Sequence, residues 1–283
     1  MPRNGLTALT EMIRTHPEFP GAARRYLVDY VDWRERLGML NRVIANAARQ
    51  RILENLLTLH FSRSESGGGP GVSFERLVEV SGATDDVGAR AVRTALRLAQ
   101  IGGLVVNGRD AADGRLRVYQ PTDALIGHGR ELSIFTLRPL DIIFPHLRIC
   151  EKLAADPAFY GVTAARVGRV VLQPGLRRPG IVSPLRDLMR QEGAIAIYNV
   201  VADCYSRGRD APAAPELSRR FFVSQSQARA VLRSAEAQGL FRIGPRGRLL
   251  DAEPLTQGIM DGNARFLAFY ALHIFGIEPP GPL

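Results

Sequence analysis

Residues 217–250 read LSRRFFVSQSQARAVLRSAEAQGLFRIGPRGRLL, and the punctuation within that stretch decides the fold. Residues 216–222 predict a short helix that carries Arg219 and Arg220. Ser224 stands where a helix N-cap belongs, because a serine hydroxyl can take one of the backbone N–H groups that a helix start leaves unmatched. The run QSQARAVLRSAEAQ then continues to Gly239, a residue suited to the left-handed backbone that ends helices. LFRI and RLLDA flank the tip Gly244-Pro245-Arg246-Gly247, which predicts a β-hairpin. Upstream, residues 184–205 predict one helical run and SRGRDAPAAP (206–215) a loop.

The first half of the chain shows the same order. Residues 39–61 have apolar residues at three- and four-residue steps (Leu40, Val43, Ile44, Ala47, Ile52, Leu53, Leu56, Leu57), the mark of one amphipathic helix. SRSESGGGPG (62–71) predicts a loop. Ser73 caps the short helix FERLVEV, Ser81-Gly82-Ala83 forms a turn, and Thr84 caps a further helix that reaches Ile101 with Asp85 and Asp86 in its first turn. Gly102-Gly103 ends it. LVV (104–106) and LRVYQ (116–120) flank a long polar tip. Helix, helix, turn, helix, hairpin is the order of a winged helix-turn-helix.

The echo extends beyond this motif. HPEFPG (16–21) returns as DPAFYG (156–161). Arg93, Leu96, Arg97, Ala99, Gly103 and Leu104 match Arg229, Leu232, Arg233, Ala235, Gly239 and Leu240 at a constant offset of 136. The long apolar segments 121–145 and 254–279 also align. The chain therefore reads as a tandem duplication. Repeat one spans residues 8–146, with its winged helix at 38–120 and a back helix at 121–146. Repeat two spans 151–279, with its winged helix at 182–252 and a back helix at 254–277. The expected fold is mainly α: two winged helix-turn-helix repeats, each with a small β-hairpin wing, plus flanking helices in a pseudo-two-fold arrangement.

Residues 217–250 resemble the winged helix of GntR-type transcription regulators and, more distantly, that of MarR-type regulators. Leu217, Val223-Ser224, Arg229, Leu232, Gly239-Leu240 and the Gly/Arg-rich wing carry the likeness. The first half shares it only in outline, and no effector domain of the GntR kind follows. The resemblance implies sequence-specific binding of double-stranded DNA. The second helix of the motif would enter the major groove and the wing would lie on the backbone or in the minor groove.

The residue chemistry is read on that basis. Ala228, Val231, Leu232 and Ala235 are expected to pack inward. Gln225, Arg229 and Arg233 share an outer face at i, i+4 and i+8, with Ser226 beside them. Glutamine can pair bidentately with adenine and arginine with guanine. Ser224 is placed to meet a phosphate at the helix start. Arg246 and Arg248 sit on the wing tip. In the first half the candidates are Arg90, Arg93 and Arg97 on the helix and Arg109, Arg115 and Arg117 on the wing. Asp85, Asp86, Asp110 and Asp113 dilute their charge. Residues 38–120 hold 11 arginines against 8 acids and residues 181–250 hold 11 against 6, so the second repeat is the expected anchor.

Composition agrees with a polyanionic partner: the net charge is +9, and Lys152 is the one lysine, so arginine supplies nearly all of the positive charge. No stretch approaches the ~18 apolar residues of a membrane span, and the start lacks a secretory signal, so a soluble cytoplasmic protein is expected. Cys150 and Cys204 are expected to be buried free thiols. The histidines, His16, His60, His128, His146 and His273, are scattered, and neither a P-loop nor a GxSxG elbow occurs. No enzymatic activity, metal or cofactor is expected. The back helices are apolar enough to pair, either within the chain, as a single-chain pseudo-dimer, or between chains in a homodimer. Phe135, Leu137, Phe144, Phe266 and Phe269 are expected to be core residues before any lining of a small-molecule effector pocket. The alternatives to a regulator are a DNA binder like the plasmid replication initiators and a winged-helix interaction scaffold.

Overall fold

The computed structural model describes residues 2–65, 71–85, 87–110, 113–173 and 185–279. Among these the protein is mainly helical, as the sequence predicts, with small antiparallel sheets. The first half runs α1 (Pro2–Thr15), α2 (Phe19–Arg36), a 3-10 turn (Gly38–Arg42), α3 (Ala47–Glu65), β1 (Val72–Ser73), α4 (Phe74–Asp85), α5 (Ala89–Ile101), β2 (Val105–Arg109), β3 (Arg117–Pro121) and α6 (Asp123–Ile143). The second runs α7 (Ile149–Ala155), α8 (Pro157–Val171), α9 (Leu185–Leu188), α10 (Ala194–Ser206), α11 (Ala214–Phe221), α12 (Gln225–Ala237), β4 (Arg242–Ile243), β5 (Leu249–Asp251) and α13 (Glu253–Phe269), which closes in a π-helical turn at Tyr270–Ile274.

β3 lies between β1 and β2, antiparallel to both. β4 and β5 form a hairpin, and beside it the Ala211 amide donates to the Gly247 carbonyl at 3.0 Å. The central helices end alike. After α5, Gly103 has φ +70° and the Leu104 amide donates to the Ala99 carbonyl at 2.8 Å. After α12, Gly239 has φ +69° and the Leu240 amide donates to the Ala235 carbonyl at 3.0 Å. This is the left-handed glycine exit that closes orphan helix carbonyls. Beyond each hairpin the chain returns to the same place: Thr122 N bonds Leu104 O, and Leu255 N bonds Leu240 O, both at 3.0 Å.

Four expectations are corrected. The helix read from Met39 to Phe61 begins only at Ala47. Gly38 turns the backbone to φ +52°, and buried Asn41 accepts from Arg34 Nε at 2.6 Å while donating to the Arg34 carbonyl at 2.6 Å. Those bonds hold Gly38–Arg42 in a tight turn that covers the Arg34 guanidinium. The run 184–205 is broken at Gly193, at φ +80°, where a Cβ would meet the Val223 side chain at 2.8 Å. Ser81-Gly82-Ala83 is helical, since α4 continues to Asp85, and α5 starts after Gly88 instead of Thr84. Asp85 therefore ends one helix and does not open the next. Residues 62–65, read as the start of a loop, complete α3, while residues 66–70 of that loop and Asp86 fall outside the described residues.

The chain divides into two compact units that cut across the sequence halves. One contains residues 1–47, 135–148 and 179–283 and the other 48–134 and 149–178. In the first, Leu27 and Val31 of α2 join a core with Ile197 and Val201 of α10, Leu217 and Phe221 of α11, and Ala228, Val231 and Ala235 of α12. Arg138 is ion-paired with Asp29, and Phe135 lies among the rings of Tyr26, Tyr30 and Trp33. In the second, α8 packs on α3. Gly161 and Gly168 let the helices approach, Ser62 Oγ donates to the Ala165 carbonyl at 3.1 Å, and Arg169 pairs with Glu65. The arrangement is reciprocal: α2 of the first half serves α10 of the second, and α8 of the second serves α3 of the first.

Of the aromatic and aliphatic residues read as core, Phe135, Leu137 and Phe269 are buried, and Phe144 and Phe266 are half-buried. Cys204 is buried, and burial pushes its thiol pKa up; Cys150 is half-buried. No helix among the described residues is long and apolar enough to cross a membrane.

Candidate nucleic-acid interface

α12 is a two-sided helix. Ala228, Val231 and Ala235 are buried, and Tyr198 from α10 donates its hydroxyl to the Val231 carbonyl at 3.2 Å. That enclosure pushes the Tyr198 phenol pKa well up, which keeps it a neutral donor. With one side anchored, Gln225, Ser226, Arg229 and Arg233 are all exposed. Arg229 Nη2 donates to Gln225 Oε1 at 3.3 Å, so the amide and the guanidinium share one patch. The acid of α12, Glu236, accepts from the Ile243 amide at 3.1 Å and so ties the helix to the hairpin.

The start of α12 is held twice. Ser224 Oγ accepts from the Gln227 amide at 3.1 Å, and Gln227 Oε1 accepts from the Ser224 amide at 2.8 Å. This reciprocal pair is a capping box. Gln227 Nε2 also donates to Glu192 at 2.7 Å, and Ser224 Oγ lies 2.9 Å from Ser226 Oγ. Two orphan backbone groups are thereby satisfied, and the first turn of α12 is fixed relative to α10's approach. In the hairpin, Arg248 is exposed and Gly247 adopts φ +86°. The Arg246 side chain lies outside the described residues.

In the first half, Arg90, Arg93 and Arg97 are exposed along α5, and the Arg93 guanidinium sits 5.2 Å from the centroid of the Phe74 ring. Arg109, Arg115 and Arg117 are exposed on the hairpin, with Arg109 Nη1 donating to the Gly114 carbonyl at 3.1 Å. The reading of Asp110 as surface charge that dilutes this wing is corrected. Asp110 is buried, accepts from Arg63 at 2.6 Å and from the Asp113 amide at 3.2 Å, and so braces the hairpin to α3. A buried carboxylate paired to arginine removes one negative charge from the exposed hairpin. Asp113 accepts from the Arg115 amide at 3.0 Å.

Two further cations, outside the candidates read from the sequence, flank α12. Arg219 on α11 and Arg242 on β4 are exposed on the elements immediately before and after α12. The sequence signal for both is their place on the elements that border the central helix. Arg220, by contrast, is taken up by Glu35 at 2.5 Å. No group of three His, Cys, Asp or Glu side chains suited to a metal forms among the described residues.

No protein-family model, curated protein or solved structure matches the chain.

Proposed function

We propose that the protein is a sequence-specific regulator of transcription that binds double-stranded DNA through two winged helix-turn-helix repeats in one chain, a single-chain pseudo-dimer descended from a doubled unit. The observation that carries the reading is the split character of α12: an alanine–valine face is sealed into the core while Gln225, Ser226, Arg229 and Arg233 stand exposed with no acid before Glu236, which is tied to the Ile243 amide. An ordinary solvated helix face mixes glutamate with its cations. A face of amide, hydroxyl and guanidinium suits base edges and phosphates. The similar exits of α5 and α12, each followed by an antiparallel hairpin, support the repeat.

In this mechanism α12 enters the major groove with its first turn toward the bases. Arg246 and Arg248 reach along the backbone or into the minor groove, and α5 with its own hairpin forms the second head. The experiment is a salt series of binding to unrelated duplexes, followed by selection from a random duplex pool. Affinity is expected to fall steeply with salt, as phosphate neutralisation requires, and one family of sequences should be enriched. Gln225→Ala and Arg229→Ala should relax sequence preference, whereas Arg246→Ala with Arg248→Ala should weaken all binding and lower the salt slope. Salt-independent or absent binding would rule the reading out in favour of an interaction scaffold.

A further inference from the structure

The two central helices can be compared position by position, because their ends coincide at a single offset. α5 and α12 each have 13 residues. Both follow an extended cap residue, Gly88 at φ −78°, ψ 164° and Ser224 at φ −70°, ψ 153°. Both end in a left-handed glycine at the same register. Equivalence is therefore set by backbone geometry along the whole helix, at the 136-residue offset that the sequence shows.

In that register the later outer positions agree. Arg93 matches Arg229 and Arg97 matches Arg233, all four exposed. The first turn disagrees. Ala89 and Arg90 stand where the other helix has Gln225 and Ser226, and these four are also exposed. Thr94 replaces Ala230 one turn on. The N-cap differs as well: Gly88 offers no side chain, while Ser224 and Gln227 close a capping box.

The first turn of a helix in the major groove is the part that comes closest to base edges. Gln225 presents a carboxamide whose donor and acceptor match adenine, and Ser226 a hydroxyl compatible with several bases. Ala89 presents only a methyl group, suited to the thymine methyl. Arg90 presents a guanidinium suited to guanine or to a phosphate. The shared arginines supply common affinity, and the unlike first turns supply unlike readout. Resting on the reading of the chain as a two-headed DNA binder, we infer that its target is an asymmetric duplex site of two dissimilar half-sites, one set by Gln225 and Ser226 and the other by Ala89 and Arg90.

The test is selection from a random duplex pool with the intact protein and with two exposed-surface variants, Arg90→Ser and Ala89→Gln/Arg90→Ser. Melting of each variant at the wild-type temperature is the accompanying control. Wild type is expected to enrich two short blocks of different sequence. The double variant should convert one block into a second copy of the other and prefer the repeated site over the original by roughly tenfold, the order of one bidentate base contact. Arg90→Ser alone should erase preference within that block and leave the other intact. Two identical blocks from the wild type, a single block, or a block unmoved by both variants would overturn the asymmetric site while leaving DNA binding in place. Failure to enrich any sequence, or to bind duplex at all, would overturn the two-headed reading itself and this inference with it.

Discussion

Ser224 and Gln227 satisfy each other: the serine hydroxyl accepts from the Gln227 amide at 3.1 Å, and the Gln227 carboxamide accepts from the Ser224 amide at 2.8 Å. The pair lets structure and binding be separated at one position. Ser224→Ala removes the cap and should cost about 1 kcal/mol of stability, read by chemical denaturation. Ser224→Asp keeps an oxygen for the Gln227 amide and adds a negative charge that the helix start tolerates. Its melting should match the wild type, yet its duplex affinity should fall, because a carboxylate facing phosphate is repelled. Wild-type affinity in Ser224→Asp would place the start of α12 away from nucleic acid.

Arg63 and Asp110 form the corresponding support in the first half. Asp110 is almost fully buried and Arg63 about a third exposed. Breaking a buried pair by removing its cation leaves the carboxylate without its counter-charge, which costs about 3–5 kcal/mol. Arg63→Met should fall at the low end of that range, given the partial solvation. Asp110→Asn should cost less, because the amide still accepts from the Asp113 amide and the freed arginine reaches water. The comparison is made by denaturant unfolding of both variants. Equal losses would mean that the hairpin does not depend on the charge of Asp110.

How much of this was legible in sequence follows from where the signals lie. The caps and exits of α12 were readable because Ser224 and Gly239 act through their own backbone neighbours. The buried–exposed division of α12 was readable because Ala228, Val231 and Ala235 recur at helical spacing. Two features depend on side-chain partners that helical or strand spacing does not reveal and were not readable. Asp110 looked like wing charge because Arg63 lies 47 residues away. Asn41 fell within an expected helix, and only the Arg34 side chain and carbonyl explain why the chain turns there. Thr84 and Ser224 look alike as caps, but α4 runs past Thr84, so local propensity lost to packing there.

The glycines make a graded prediction. At Gly103 and Gly239 an added Cβ meets nothing within 4 Å, so alanine costs only the left-handed backbone, about 1 kcal/mol at each. At Gly168 a Cβ would lie 2.7 Å from the Thr58 carbonyl oxygen and against the Ser62 hydroxyl. A backbone atom cannot swing aside, so α8 must shift off α3, at a cost of up to about 3 kcal/mol. Thermal melts should therefore rank Gly168→Ala below the two helix-exit variants, which should match each other. A mild Gly168→Ala would mean that the two helices are less tightly apposed.

His60 gives the acid side of the stability curve a definite sign. Burial holds its imidazole pKa below the ordinary value of 6.5, Nδ1 has no hydrogen-bond partner among the described residues, and the ring lies edge-on to Phe61 at 5.2 Å. The folded state favours the neutral base, so as pH falls through about 6.5 the unfolded chain takes up the proton first. Stability should decline from there until the folded pKa is reached, then level for this group. His60→Phe should remove that part of the decline while leaving the carboxylate-driven loss at lower pH. Superimposable stability–pH curves for the two proteins would show that His60 does not contribute.

The reciprocal exchange of front helices makes the halves interdependent. α2 contributes Leu27 and Val31 to a core otherwise built from residues 185–259, and burial of each such side chain is worth about 1.5–3 kcal/mol. α8 seats its glycines and Ala165 against Phe61, Thr58 and Ser62 of α3. A fragment of residues 1–147 retains α2 without α10 and α3 without α8; residues 148–283 have the complementary deficits. Neither should fold alone as a monomer. Co-expressed, they should form one stoichiometric complex, because every interface within the two compact units can be rebuilt across the cut. If the halves share an ancestor, a single fragment has one further route: its own α2 on the α3 of a second copy, giving a homodimer with both front helices exchanged. Size-exclusion chromatography with light scattering separates these outcomes. A stable folded monomer from either fragment would contradict the interdependence, since it would show that α2 or α8 can find its apolar partner within its own half.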